Sequence, residues 1–195
     1  MFSNREDSLN RLPISRPLQG ERLKLRMFEE ADIPYVSPLF DELDVLQFYL
    51  PTLVRPYSEA QLSEMLKDWH DENTYFLFSI VHHVTNQVKG LVNLDGVSWS
   101  NRHTEIGIGI SDLKERGKGY APEALRLLID YCFDQMGMHR VFARIIEGNE
   151  PSIRLFEKLG FKREGQMREH VFRDGGWRDM YIYAVLDSEW KTIQE

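Results

Sequence analysis

Between an alternating apolar run and a long amphipathic stretch lies Arg116-Gly117-Lys118-Gly119-Tyr120-Ala121, and this glycine turn limits what the chain can fold into more than any other feature. Upstream, Thr104 to Ile110 reads T-E-I-G-I-G-I, whose period of two specifies a strand. Downstream, Leu125, Leu128, Ile129, Cys132, Phe133 and Met136 fall on one helical stripe. A strand, a tight turn and a helix in that order leave backbone amides free at the helix start, where the peptide dipoles favour an anion, and glycine lets the backbone come close to it. Such a turn is a cradle for a pyrophosphate. Pro122 and Glu123 suit the first helical turn, since proline gives up no needed hydrogen bond there and a carboxylate sits at the positive end of the helix.

The turn does not have the P-loop spacing G-x-x-x-x-G-K-S/T, and it is not G-x-G-x-x-G, because Pro122 stands three residues after Gly119. Arg116, Gly119 and Ala121 do match Q/R-x-x-G-x-G/A at every defined position, the signature of the GNAT acyl-CoA N-acyltransferases. A second segment, Asn149 to Phe161, resembles that superfamily's N-x-x-A/S-x-x-L/I-Y/F-x-K-x-G-F, and the stretch from Glu164-Gly165 to Trp177-Arg178-Asp179 resembles a branch that includes Rim-type ribosomal-protein acetyltransferases and spermidine acetyltransferases. The resemblance spans roughly residues 20 to 187, tight after 104 and loose before it. It implies acetyl-CoA as co-substrate, an amine acceptor and no metal. It further implies a strand that splays from its neighbour, with pantetheine along Ile108, Gly109 and Ile110, phosphates on Arg116, Gly117, Lys118, Gly119, Tyr120 and Ala121, and further cofactor contacts from Asn149, Ser152 and Phe156.

The chain's 195 residues suit one domain, residues 19–195, preceded by an arm over 1–18 in which Pro13 and Pro17 interrupt charged residues without any period. A net charge of −7 disfavours nucleic acid, and no apolar run is long enough to span a membrane. Cys132 is the single cysteine, which fits a reducing cytoplasm, and its place on the apolar stripe points to core packing. The first residues lack an apolar signal core, so export is not expected. The sequence leaves the oligomeric state open, a homodimer being compatible with it.

In chain order the periodicity predicts a strand over 20–27, a helix entered through Asp32 and Pro34 and running to about Asp41, an acidic group of Asp41, Glu42 and Asp44, and an aromatic loop. A helix capped by Ser58 follows over about 59–72, with Leu62, Met65, Leu66 and Trp69 as its buried face. Strands follow at 75–81, 88–97, 104–110 and about 139–145, and a last hairpin joins 161–172 to 177–186 through Asp174-Gly175-Gly176. The order β-α-α-β-β-β-α-β-α-β-β is that of the GNAT superfamily. It implies an α/β (α+β) fold with a mixed, mostly antiparallel sheet of about seven strands and helices on both faces. His82 and His83, adjacent on a strand, face opposite ways and make a poor metal pair.

The residues that could carry chemistry are few. On the 104–110 strand, Glu105 shares a face with Gly107 and Gly109, a face that holds nothing bulky beyond the carboxylate. The superfamily often has a general base at this position; the alternative is a strand-end carboxylate paired with Arg102 or Lys114. Many members place a proton-donating tyrosine where this chain has Phe156. Ser152, one helical turn earlier, is the nearest substitute unless it is simply the third residue of a helix capped by Asn149, and Tyr120 is a weaker candidate. So thin an acid–base set favours an amine that is partly neutral near pH 7, such as a peptide or protein N-terminus with a pKa of about 8. The alternatives are a polyamine or other small amine held by Asp41, Glu42 and Asp44, and a module that binds acetyl-CoA without transferring the acetyl group.

Overall fold

The computed structural model of the protein describes residues 18–41, 43–50, 54–71 and 73–194. Its strands are β1 (Leu23–Met27), β2 (Phe76–His82), β3 (Val88–Ser98), β4 (His103–Ile110), β5 (Arg140–Ile146), β6 (Lys162–Arg173) and β7 (Gly176–Leu186). They form a seven-stranded sheet in the order β1-β2-β3-β4-β5-β7-β6, antiparallel throughout except between β4 and β5. That parallel pair follows from the connection: a helix crosses one face between them and returns the chain in the same direction. The sheet is therefore mixed and mostly antiparallel, as the sequence implies.

The helices are α1 (Ile33–Val36), α2 (Pro38–Asp41), α3 (Leu43–Tyr49), α4 (Glu59–Lys67), α5 (Tyr120–Asp130), α6 (Glu150–Lys158) and α7 (Asp187–Gln194). They divide between the two faces according to strand alternation. Ile80, Val92, Leu94 and Ile106 pack with Leu125, Leu128 and Ile129 of α5, Phe156 of α6 and Trp190 of α7. Leu77 and Leu91 point the other way, into Val36, Leu39, Phe40, Leu46, Leu62 and Leu66 of α1 to α4. Each such leucine, removed from water, contributes about 1.5–3 kcal/mol. Cys132 sits in the first core, fully buried, and burial pushes its thiol pKa up, so it packs and does not react.

Several expectations change in detail. The expected helix to Asp41 is two short helices, because Pro38 has no N–H to offer the carbonyl one turn back. The Asp32 side chain does not cap α1. It accepts hydrogen bonds from Arg26 Nη1 and Nη2, at 2.7 and 2.6 Å, and from the Ser79 hydroxyl at 2.6 Å. Burial alone would raise the Asp32 carboxyl; these hydrogen bonds outweigh it and hold the group below its ordinary range. Helices α3 and α7 are additions to the order read from sequence. The first forms where an acidic loop is expected, by burying Leu46, and the second is fastened by Trp190, whose Nε1 donates to Asp130 Oδ1 at 2.7 Å. Helix α4 starts as expected, with Gln61 N donating to Ser58 Oγ at 3.3 Å, and ends at Lys67. The last hairpin turns on Asp174 and Gly175, whose φ values of 51° and 75° are those of a primed turn, and Gly176 already belongs to β7. The arm up to residue 17, Glu42 of the acidic group and Glu72 of the expected α4 end lie outside the described residues.

Candidate active site

Strands β4 and β5 pair only at their N-terminal ends, from His103↔Arg140 to Glu105↔Phe142. Beyond that, β4 stays paired to β3 as far as Ile110 and β5 to β7 as far as Ile146, so their facing edges part. Alternate residues of the open β4 edge direct N–H and C=O groups into the wedge. The wedge belongs to a cavity of about 1460 Å³ that runs on to the glycine turn and the start of α6, and under α3 and α4.

At the turn, Gly117 and Gly119 have φ of 76° and 82°, and Gly119 is the N-cap of α5. Arg22 secures its carbonyl side, donating from Nη1 to Lys118 O at 2.8 Å and from Nη2 to Gly119 O at 3.1 Å. Glu123 completes the clamp by accepting from Arg22 Nε at 2.9 Å, Arg22 N at 2.8 Å and Leu23 N at 3.0 Å, so it fastens β1 to α5 as well as facing the helix dipole. Arg116, Gly117, Gly119, Tyr120 and Ala121 line the cavity. Lys118 does not; its ammonium turns to Glu115 at 3.0 Å. The Tyr120 ring carries the Arg22 guanidinium at 5.2 Å and the Lys89 ammonium at 5.9 Å, which makes it a brace for the turn. With its carbonyls engaged and a helix N-terminus behind it, the turn fits a pyrophosphate.

Ile108, Gly109 and Ile110 line the wedge, as do Asn149, Ser152 and Phe156. Asn149 caps α6 by accepting from Ser152 N at 3.3 Å, while Phe156 is buried against Phe161 at 5.0 Å between centroids. The glycine face of β4 is not empty. A Cβ at Gly107 would lie 2.6 Å from Asn93 Oδ1, and one at Gly109 would lie 2.5 Å from Leu39 Cδ2. Gly107 makes room for Asn93 of β3 and Gly109 for Leu39 and Tyr49 of the helical layer, while both also line the cavity.

Glu105 pairs with Arg144, and not with Arg102 or Lys114. Both carboxylate oxygens accept from Arg144 Nε at 2.9 Å, and Nη2 lies 2.8 Å from Oε2. Parallel pairing explains the choice, because Phe142 is opposite Glu105 and Arg144 is two residues further on the same face. Across β3, Asp95 is in register with Glu105, giving two carboxylates side by side. Burial, reinforced by the Glu105 charge, pushes the Asp95 carboxyl up to about 6, against a hydrogen bond from Asn93 and the Arg144 charge. Tyr49 donates to Asn93 Oδ1 at 3.3 Å above this group. A carboxyl with a raised folded-state pKa contributes stability that is full below its unfolded value and lost as pH rises through about 6. Asp95→Asn, which never ionises, should therefore melt a few degrees above the parent at pH 8, and the gap should close by pH 4; paired thermal melts check this.

Arg22, Asp95 and Arg144 escape a reading of the sequence, since each acts on a residue brought near only by the sheet. A weak cue existed for Asp95, a lone acid inside an otherwise apolar strand pattern. Among the described residues no group of His, Cys, Asp and Glu is placed to hold a metal.

A parallel pair that splits, a glycine cradle beyond the split and a capped helix beside it define an acyl-CoA-dependent N-acetyltransferase of GNAT type. Residues 22–162 match the family model described as an acetyltransferase (GNAT) domain. The chain is 30% identical to the uncharacterized N-acetyltransferase p20 of Bacillus licheniformis over 174 residues, 89% of this chain and 97% of that protein. It is also 30% identical to spermidine N(1)-acetyltransferase of Escherichia coli, over 86% of this chain and 88% of that protein. Among solved structures, a GNAT-family acetyltransferase from Bacillus anthracis superposes with a TM-score of 0.77 at 28% identity, covering 88% of this chain and 99% of that one. The Vibrio cholerae spermidine N-acetyltransferase in complex with CoA and spermine shares the fold, with a TM-score of 0.78 at 24% identity over 87% of this chain and 98% of that one. The chain belongs to the GNAT acetyltransferase family and is an acetyl-CoA-dependent N-acetyltransferase.

Proposed function

We propose that the acceptor is a polyamine or a similar linear polycationic amine. The observation that carries this is the cavity wall formed by α3 and α4. Asp44, Glu64 and Asp68 line it together with Phe48, Tyr49, Tyr57 and Trp69, and on the sheet side Asp95 and Glu105 continue the acidic line. Several carboxylates and aromatic rings in one cavity suit ammonium groups separated by methylene chains, through charge attraction and cation–π contact. The spermidine acetyltransferases among the relatives support the same choice and favour it over the peptide N-terminus that the thin acid–base set suggests. Asp95 also enlarges that set. Of the acidic group at 41–44, Asp44 reaches the cavity and Asp41 does not line it.

Acetyl-CoA supplies the acetyl group as a thioester. The residues proposed to hold it are Ile108, Gly109 and Ile110 of β4, the 116–121 turn through its amides, and Asn149, Ser152 and Phe156 beside the wedge. Residues 19–195 are taken to act as one catalytic domain, with 1–18 as an arm.

Rates measured with spermidine, spermine and peptides beginning with Ala, Ser and Met should give a kcat/KM at least tenfold higher for a polyamine than for any peptide. The double variant Glu64→Gln, Asp68→Asn should raise the spermidine KM about tenfold without changing acetyl-CoA affinity, and added salt should narrow the difference because both carboxylates are exposed. A peptide that outruns every polyamine would return the acceptor to the N-terminal class.

A further inference from the structure

We propose that Asp95 is the carboxylate that takes the proton from the acceptor ammonium, and that Glu105, fixed by Arg144, is a positioning residue. The proposal rests on acetyl transfer to an amine and not on which amine is used.

Its basis is the division of partners between two neighbouring acids. Antiparallel pairing sets Asp95 and Glu105 directly opposite each other, a register that brings Cβ atoms to about 4.5–5.5 Å, and both line the cavity. Glu105 has both oxygens taken by one guanidinium, and its side chain is only 15% exposed. To accept a proton it would have to give up a two-point ion pair with Arg144, so its oxygens are already committed to a cation. Asp95 forms no ion pair among the described residues. Two adjacent carboxylates sharing one cation cannot both be weak bases, and the one without the direct pair keeps the higher affinity for a proton. Facing Asp95 are Glu105 from β4, Arg144 from β5 and Tyr49 from α3, while Glu64 of α4 and Asp68 just after it line the same cavity. The Arg144 charge is already paired with Glu105, which leaves the Asp95 carboxylate to meet an incoming ammonium. Burial holds Asp95 near 6, ionised at neutral pH and still more basic than an ordinary carboxylate.

In the step, an N–H bond of the ammonium breaks, its electron pair stays on nitrogen, and an O–H bond forms on Asp95. The freed pair forms the new C–N bond as the C–S bond of the thioester breaks. The sulfur leaves with that bonding pair and takes the second nitrogen proton as a thiol, and the proton on Asp95 passes to solvent.

The test is the pH dependence of kcat/KM with one fixed amine, in the parent, Asp95→Asn and Glu105→Gln. The parent should show an acid limb near pH 6. Asp95→Asn should lower the rate about 10²-fold or more and abolish that limb. Glu105→Gln should lower the rate less and move the limb to lower pH, because it removes the negative neighbour and frees Arg144 to face Asp95. Acetyl-CoA affinity by calorimetry should be unchanged in both, which separates this outcome from failure of the cradle. If Asp95→Asn keeps the limb, or Glu105→Gln abolishes it while Asp95→Asn stays within threefold of the parent, Glu105 is the base and the proposal is wrong. Should a variant be too slow to profile, carbon-13 NMR of carboxyl-labelled aspartate decides: a titration near pH 6 in the parent that is missing from Asp95→Asn supports the proposal, and a parent without one overturns it.

Discussion

Gly119→Val should cost at least 10²-fold in acetyl-CoA affinity while the protein stays folded. Two effects combine at this position. Its φ of 82° lies in the left-handed region, which a β-branched residue reaches only under strain, and a Cβ would stand 3.1 Å from Arg22 Nη2. The guanidinium must give by a few tenths of an ångström, which strains its bonds to Lys118 O and Gly119 O, the contacts that secure the carbonyl side of the turn. Relaxation of valine toward negative φ would swing the peptide and scatter the amides that a pyrophosphate needs together. Calorimetry with acetyl-CoA, alongside a circular dichroism check of folding, measures the effect. Unchanged affinity in a folded variant would move the phosphate site away from this turn.

Gly90→Ala should have the largest effect on stability of any single methyl added to the sheet, more than about 3 kcal/mol. The added Cβ would lie 2.1 Å from Gly109 O and 3.0 Å from Ile110 Cα, and both are backbone atoms with no rotamer to escape into. Strand β3 would have to pull away from β4 where Gly90 is opposite Ile110, beside the cavity residues Gly109 and Ile110. Gly165→Ala is the control, because its nearest neighbour, Ile182 Cδ1, would be at an ordinary 3.7 Å. Urea unfolding of the two variants gives the comparison. Equal midpoints would mean that the β3–β4 pairing is looser than the register implies.

What the sequence by itself determines here is local. The alternation at 104–110, the glycines at 117 and 119, and Asn149 three residues before Ser152 each specify backbone geometry through residues a few positions apart. The family motifs lie in those same stretches, so the cradle, the capped helix and the mixed sheet are all legible without coordinates. Short-range signals also mislead where packing overrides them. The acidic stretch after Asp41 reads as a loop, yet it folds into α3 because Leu46 and the neighbouring apolar side chains find the β2–β3 face. Gly107 and Gly109 read as a face with nothing bulky beyond Glu105, and only the fold shows that this space is shared between the cavity and the side chains of Asn93, Leu39 and Tyr49.

Tertiary structure alone decided who touches whom across the sheet. Arg22 reaches a turn 96 residues away, Glu105 finds Arg144 39 residues on, and Asp95 meets Glu105 through antiparallel register. No periodicity encodes these pairings, because a strand specifies which face a side chain takes but not which strand lies beside it. The proton affinity of a carboxylate depends on those neighbours and on how much water they exclude. The sequence could therefore supply the acids, and only the fold could assign one to the ion pair with Arg144 and leave the other with the raised proton affinity.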